Sequence, residues 1–326
     1  MRDRPRREAV AKLSGRTRFL SDQRPAGDWW GATIRSPVAR GVLRAIHFNP
    51  GFDWSSFARV TARNIPGNNA GALFDKTQPV LALDTLRHVN EPILLLAHPS
   101  RTTLERALTE VRLECDEQPA YFDYRRQPGK QQVQAGSDNV LCRSRMSRGN
   151  AEAVLEGASR IIEGEYECGA QEHVYLETQA IRAEVNQGQI AISGSLQCPG
   201  YVQAAVARVM ACNTTDVRVT ATPVGGGFGG KEDYPSLLAA HAALLARSAG
   251  HPVRMVYDRQ EDMSCTSKRH PARIRHRTAV APDGKLLAMD VELLLDGGAY
   301  ETLSGIVLRR ATIHACGPYR CLLYTS

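Results

Sequence analysis

This sequence predicts a mixed α+β (mixed α/β) protein with two domains, and three observations carry that prediction. Short alternating runs and helical runs follow one another along the chain, an irregular polar stretch interrupts them, and one strand leads into a helix through a glycine-rich loop. In chain order, residues 15–123 alternate short strands with at least one helix, Thr103 to Leu113, which places Leu104, Ala107, Leu108 and Val111 on one face. Residues 124–150 lose apolar periodicity and gain Gln, Gly, Ser and Arg, the composition of an interdomain connection. From Ala151 the pattern sharpens into a short helix from Glu152 to Ala158 and a strand from Ile161 to Glu167. Further strands are expected near Val174 to Val185 and Gln189 to Leu196. Pro199, suited to a first helical turn, opens a helix through Ala211 whose buried side is Val202, Val206, Val209 and Met210. Val217 to Thr222 alternates as a strand, Leu237 to Arg247 reads as an apolar helix closed by Gly250, and Val253 to Tyr257 is the next apolar strand. The basic run Lys268 to Arg277 alternates around Ile274, so it reads as a strand with a solvated or phosphate-facing edge.

Composition bounds the function. The 326 residues leave room for two cores, and 43% hydrophobic and 23% charged residues are ordinary for a soluble protein. The net charge of +7 is spread along the chain, and no base-reading motif accompanies it, so nucleic acid is not an expected partner. Met1 to Glu8 is basic without an apolar centre, unlike a secretory signal. The longest apolar stretch, Ile93 to Ala97, falls far short of the ~20 residues of a membrane helix. None of the eight cysteines forms a C-x-x-C pair, so neither an iron–sulfur cluster nor a structural zinc is expected on this chain. Reduced thiols in a cytoplasmic protein are the simplest reading.

The segment Gly225-Gly226-Gly227-Phe228-Gly229-Gly230-Lys231-Glu232 is the most informative. Five glycines in six positions free the backbone to adopt positive φ and to press N–H groups against a ligand, between a strand and a helix N-terminus. Two familiar loops share these letters. A P-loop would need Ser or Thr where Glu232 stands, and a carboxylate there would repel nucleotide phosphates. Gly225-x-Gly227-x-x-Gly230 satisfies the dinucleotide fingerprint, but its acidic partner, Asp258, comes late. A nicotinamide- or nucleotide-binding oxidoreductase therefore stays open at this point.

The longer string resembles the molybdenum-binding subunit of the xanthine dehydrogenase and aldehyde oxidase family, and further segments agree in order. They are Gly169-Ala170-Gln171-Glu172-His173-Val174-Tyr175-Leu176-Glu177, Ser195-Leu196-Gln197, Tyr257 to Met263, Lys268-Arg269-His270-Pro271 and Asp296-Gly297-Gly298-Ala299-Tyr300. Arg35-Ser36-Pro37 and Val60 to Gly67 resemble the family's α/β hammerhead domain. The resemblance implies a hammerhead domain over 15–123, a linker over 124–150 and the first part of a molybdopterin-binding domain over 151–321. It also implies that residues 322–326 are a foreign tail, because relatives continue differently after Cys321.

By the same resemblance, the cofactor is molybdenum–molybdopterin, with a cytosine dinucleotide as one form, and 2Fe-2S and FAD centres sit on partner subunits. Gln171 is expected to approach an oxo ligand of the metal, as a neutral donor suits an anionic centre. Phe228 and Gly229 run beside the metal's oxygen ligand, Gly226 and Gly227 allow close approach, and Gln197 lies near the pterin. The pterin holds the metal, so no side chain is expected to ligate it. Glu232 is the catalytic candidate: it would bond substrate and stabilise charge during attack, which favours a nitrogen heterocycle such as a purine over an aldehyde. The simpler role for Glu232 is a pair with Lys231 or a first-turn acid. His173, His241 and His314 are expected to be structural. The resemblance also implies that the general-base glutamate and a second set of cofactor contacts lie beyond this segment, so the chain is expected to be inactive on its own. The rest of a family member would partly cover the apolar faces of the 199–211 and 237–247 helices, so the chain alone is expected to aggregate.

Overall fold

The computed structural model describes residues 6–71, 77–126, 138–319 and 324–325. Its first strands are β1 (Trp29–Arg35), β2 (Gly41–Phe48), β3 (Ala58–Thr61), β4 (Thr85–Leu86), β5 (Pro92–His98), β6 (Val111–Glu117), β7 (Ser147–Arg148) and β8 (Ile161–Cys168). There follow β9 (Ala180–Asn186), β10 (Gln189–Gly194), β11 (Val217–Ala221), β12 (Val253–Val256), β13 (Ala272–Val280), β14 (Leu286–Leu295) and β15 (Tyr324–Thr325). The α-helices are α1 (Ala9–Leu13), α2 (Arg101–Thr109), α3 (Ala151–Gly157), α4 (Pro199–Met210), α5 (Tyr234–Ala249), α6 (Arg259–Cys265) and α7 (Ser304–Ile313). Two compact units result, Met1–Pro119 with His173–Ser267, and Ala120–Glu172 with Lys268–Ser326.

The first unit is built on a mixed seven-stranded sheet in the order β11-β10-β9-β12-β1-β5-β3, with a three-stranded sheet β4-β2-β6. Strand β5 explains the Ile93–Ala97 run: all five residues are fully buried, with Leu95 and Ala97 in one core cluster and Ile93, Leu94 and Leu96 in another. Only a strand covered on both faces tolerates an unbroken apolar run. Helices α4 and α5 fill the first cluster. Every residue of α5 from Tyr234 to Ala246 is buried, and α4 buries Val202, Ala205, Val206, Ala207, Val209 and Met210. The expectation that these two helices need outside cover is therefore corrected: each is buried within this chain by the sheet and the other helix. Both end as their sequences suggest, at Ala211 and Gly250 in the left-handed region with φ of 54° and 66°.

Three local expectations shift. The 103–113 helix runs from Arg101 to Thr109 instead, and Val111 begins β6. Val111, Leu113 and Cys115 are half-buried while Arg112 and Glu114 are exposed, so period two overrides the helical pattern there. The 174–185 strand forms only from Ala180, because Val174 takes φ of 46°. In the second unit, a five-stranded sheet β7-β15-β14-β13-β8, the basic strand is interior to the sheet, and its solvent-exposed arginines face carboxylates. Arg275 and Arg277 lie directly opposite Glu165 and Glu163 on β8 and bond them at 2.8 and 3.2 Å. Residues 127–137 of the expected linker and 320–323 and 326 near the end, Cys321 among them, lie outside the described residues, whereas Tyr324–Thr325 pairs with β14 and β7. The seven described cysteines are free thiols.

Candidate functional site

The glycine loop leaves β11 at the edge of the seven-stranded sheet and ends where α5 begins. Its glycines divide by the reason each lacks a side chain. Gly226 and Gly229 sit at φ of 103° and 96°, which side chains resist. Gly225, Gly227 and Gly230 are needed for room. A Cβ on Gly227 would lie 2.6 Å from Gln197 Oε1, one on Gly225 would lie 2.5 Å from Glu177 Cβ, and one on Gly230 would lie 2.6 Å from the Tyr175 ring. Those three let the loop lie flat on the 173–177 segment and on Gln197.

Much of the loop's hydrogen bonding is turned inward. Gln197 Oε1 accepts from the N–H of Gly229 at 3.1 Å and of Lys231 at 3.2 Å, and Gln197 N–H donates to Lys231 O at 2.8 Å. Gly225 N–H donates to Glu177 Oε2 at 2.7 Å, and the N–H of Gly230 closes a turn on Gly227 O at 2.8 Å. Among the described residues, the N–H groups of Gly226, Gly227 and Phe228 and the side-chain amide N–H of Gln197 have no acceptor. The apex thus offers neutral donors. Phe228 there is 76% exposed at φ of 54°, a strained setting for a large apolar side chain, and Val174 and Leu176 beside the loop are 58% and 92% exposed.

Beneath the loop lies a buried ion pair whose role sequence reasoning missed. Lys231 Nζ, fully buried, donates to Glu177 O at 2.6 Å, to Glu177 Oε2 at 3.2 Å and to Ser195 Oγ at 2.9 Å. Ser195 Oγ in turn donates to Glu177 Oε2 at 2.6 Å, and Gln179 Nε2 donates to Gly230 O at 2.8 Å and to Tyr175 Oη at 2.9 Å. Burial pushes the Lys231 ammonium below its ordinary range, against the pull of Glu177. Removing one member of such a pair strands a buried charge, at a cost of about 3–5 kcal/mol. The signal in the sequence was a lysine placed just before a helix that is apolar on every face: such a lysine has to find a buried partner.

Glu232 does not pair with Lys231. It is half-buried at the loop's exit and has no side-chain partner among the described residues. Burial, with the charges of Glu232 and Asp233 adding to it, raises the Cys198 thiol. Gln171 belongs to the second unit, where its backbone bridges Arg269 and its side chain is exposed. The structure thus gathers Gln197, Gly226, Gly227, Phe228, Gly229 and Glu232 around one loop, and places Gln171 in the other unit. His173 packs under Gly230, with its ring against Tyr175 at 6.4 Å between centroids, His241 is a buried helix residue, and His314 caps α7. The dinucleotide reading is not favoured: the strand before the loop is an edge strand, and Asp258 is used as the cap of α6, accepting from Glu261 N–H at 2.7 Å.

A family model described as the molybdopterin cofactor-binding domain matches residues 133–325. A Bacillus subtilis protein named as a probable xanthine dehydrogenase subunit is 29% identical over 97% of this chain and 43% of its own length. The nicotinate dehydrogenase large molybdopterin subunit of Eubacterium barkeri is 28% identical over 96% of this chain and 74% of its own. In fold, the chain matches the aldehyde oxidoreductase of Desulfovibrio gigas with a TM-score of 0.88, at 23% identity over 98% of this chain and 37% of that one. Quinoline 2-oxidoreductase of Pseudomonas putida matches with a TM-score of 0.78 at 26% identity, over 90% of this chain and 39% of that one. The chain spans less than half the length of three of these four proteins.

Proposed function

The chain belongs to the molybdopterin cofactor-binding domain family, and from that premise we propose that its glycine loop holds the cofactor within a molybdenum hydroxylase. The observation that carries this is the loop apex, where three N–H groups and the Gln197 amide have no acceptor among the described residues. Neutral donors with no bonded carboxylate suit an anionic, oxygen-rich group better than they suit a cation. When bound, the cofactor would supply the redox chemistry that hydroxylates an electron-poor carbon with oxygen from water.

The protein's own part is donation and orientation. Gly226, Gly227, Phe228 and Gly229 form the face toward the cofactor, and Phe228 supplies an exposed apolar wall. Gln197 fixes the loop and its amide would donate to the pterin, and Gln171 is proposed as a neutral donor toward the metal centre. Glu232, with no side-chain partner among the described residues, is the substrate-facing carboxylate: it would hydrogen-bond substrate and stabilise the charge that builds up during attack. Relatives named for xanthine, nicotinate and quinoline support a nitrogen heterocycle, with an aldehyde as the second substrate class. Iron–sulfur (2Fe-2S) and FAD subunits are the partners proposed to carry electrons away, and the pterin is proposed to occur as a cytosine dinucleotide. Among the described residues no helix is long and apolar enough to cross a membrane, and a cytoplasmic location is part of the proposal.

Glu232→Ala in the complete enzyme tests the substrate-facing role. Turnover of a purine should fall about 10²–10³-fold with molybdenum content unchanged. Retained turnover, or loss of molybdenum, contradicts it.

A further inference from the structure

We propose that Lys231 is a positioning residue that sets the shape of the glycine loop from below and so aims its apex donors outward, a role that rests on the cofactor reading above. The ammonium reaches the 173–177 stretch and the residue after β10 at once, through Glu177 O, Glu177 Oε2 and Ser195 Oγ, with no exposure to solvent. Glu177 passes the constraint to the loop's first residue, through its bond to Gly225 N–H, and Glu177 N–H donates back to Gly225 O at 3.2 Å. The loop's far end is the backbone of Lys231 itself, held by Gln197 through two bonds. One side chain therefore ties the loop's entry to its exit. The residues between, Gly226 to Gly229, include three positive-φ positions and have little reason of their own to hold a single conformation. The side chain also crosses the Tyr175 ring, with Nζ 4.7 Å from its centroid, and Tyr175 lies under Gly226 and Gly230. Both faces of the loop's support thus meet at the ammonium.

A role limited to charge balance would be met by removing both charges together, and this separates the two explanations. Lys231→Met alone strands the Glu177 carboxylate and endangers the fold, so the decisive variant is the double Lys231→Met/Glu177→Gln, which removes both charges of the pair together. In the 326-residue chain without cofactor, amide hydrogen exchange is followed residue by residue. The loop amides of Gly225, Gly229 and Lys231 should exchange about tenfold faster or more, while those of Leu238 to Ala243 in the core of α5 keep their protection. Unchanged protection of the loop amides in this variant overturns the proposal, whatever the cofactor does. The cofactor reading is judged separately, by whether the unmodified protein made in cells that synthesise molybdopterin carries pterin. Given that it does, the double variant should retain at least about tenfold less, following the loss of preorganisation. Equal retention overturns the claim that Lys231 aims the donors.

Discussion

Gly227→Ala tests the packing of the loop with a number taken from its geometry. The added methyl would stand 2.6 Å from Gln197 Oε1 and 2.8 Å from its Cδ, closer than a Cβ is found to approach. All three of its nearest atoms belong to Gln197, and Gly227 does not adopt a positive φ, so backbone strain does not enter. The Gln197 amide has to swing away, releasing the N–H groups of Gly229 and Lys231. Two neutral hydrogen bonds of about 0.5–1.5 kcal/mol each put the loss at roughly 1–3 kcal/mol. The assay is equilibrium urea unfolding of the wild type, Gly227→Ala, Gln197→Ala and the double variant. Gln197→Ala removes the obstructing atoms along with the acceptor, so adding Gly227→Ala to it should cost almost nothing. The cycle should therefore show a coupling of roughly 1–3 kcal/mol. An equal cost of Gly227→Ala in both backgrounds would refute the reasoning.

At Gln171, Glu should reduce turnover of the loaded enzyme more than Ala, because it sets a like charge beside an anionic centre; equal kcat in the two variants counts against that placement. His241, fully buried and donating through Nε2 to Val80 O at 2.8 Å, has its pKa lowered by burial to about 3. The unfolded chain takes up that proton first, so the His241 contribution is intact above pH ~6.5 and is lost as pH falls toward 3. The loss between pH 7 and pH 5 comes to about 2 kcal/mol. His241→Gln, which keeps a donor, should flatten that part of the pH–stability curve in urea titrations, and an unchanged slope would assign the acid sensitivity elsewhere.

The fold class was legible because burial periodicity is local. Helices α4 and α5 stand within a few residues of where apolar spacing, Pro199 and Gly250 put them. What failed was what depends on partners distant in sequence. Val111 carries a helical pattern forward from α2, yet pairing with Phe48 on β2 makes it the start of a strand. The basic run of β13 reads as a solvated or phosphate-facing edge, and Arg275 and Arg277 are indeed exposed, but their partners Glu165 and Glu163 come from β8, more than 100 residues earlier. At the site, the glycine string announced the loop, but not which glycines serve conformation and which serve contact. Gln197 was legible only as a motif letter, since its two bonds join residues 32 and 34 positions away. The Lys231–Glu177 pair, 54 residues apart, had no local signature beyond a charge set before an apolar helix.

The central claim is that the loop at Gly225–Gly230 holds molybdopterin, and cofactor content tests it most directly. The protein is purified from cells that make the cofactor, and molybdenum is measured by elemental analysis and pterin by fluorescence after oxidation, in parallel with Gly229→Val. That variant puts a β-branched side chain at φ of 96°, in space open but for His173 Nε2 at 3.7 Å, so it distorts the apex without clashing with the core. The account predicts stoichiometric pterin and molybdenum in the wild type and loss of both in the folded variant. A wild-type protein that carries neither, or carries a nicotinamide nucleotide instead, or a Gly229→Val variant that retains its pterin in full, would contradict it.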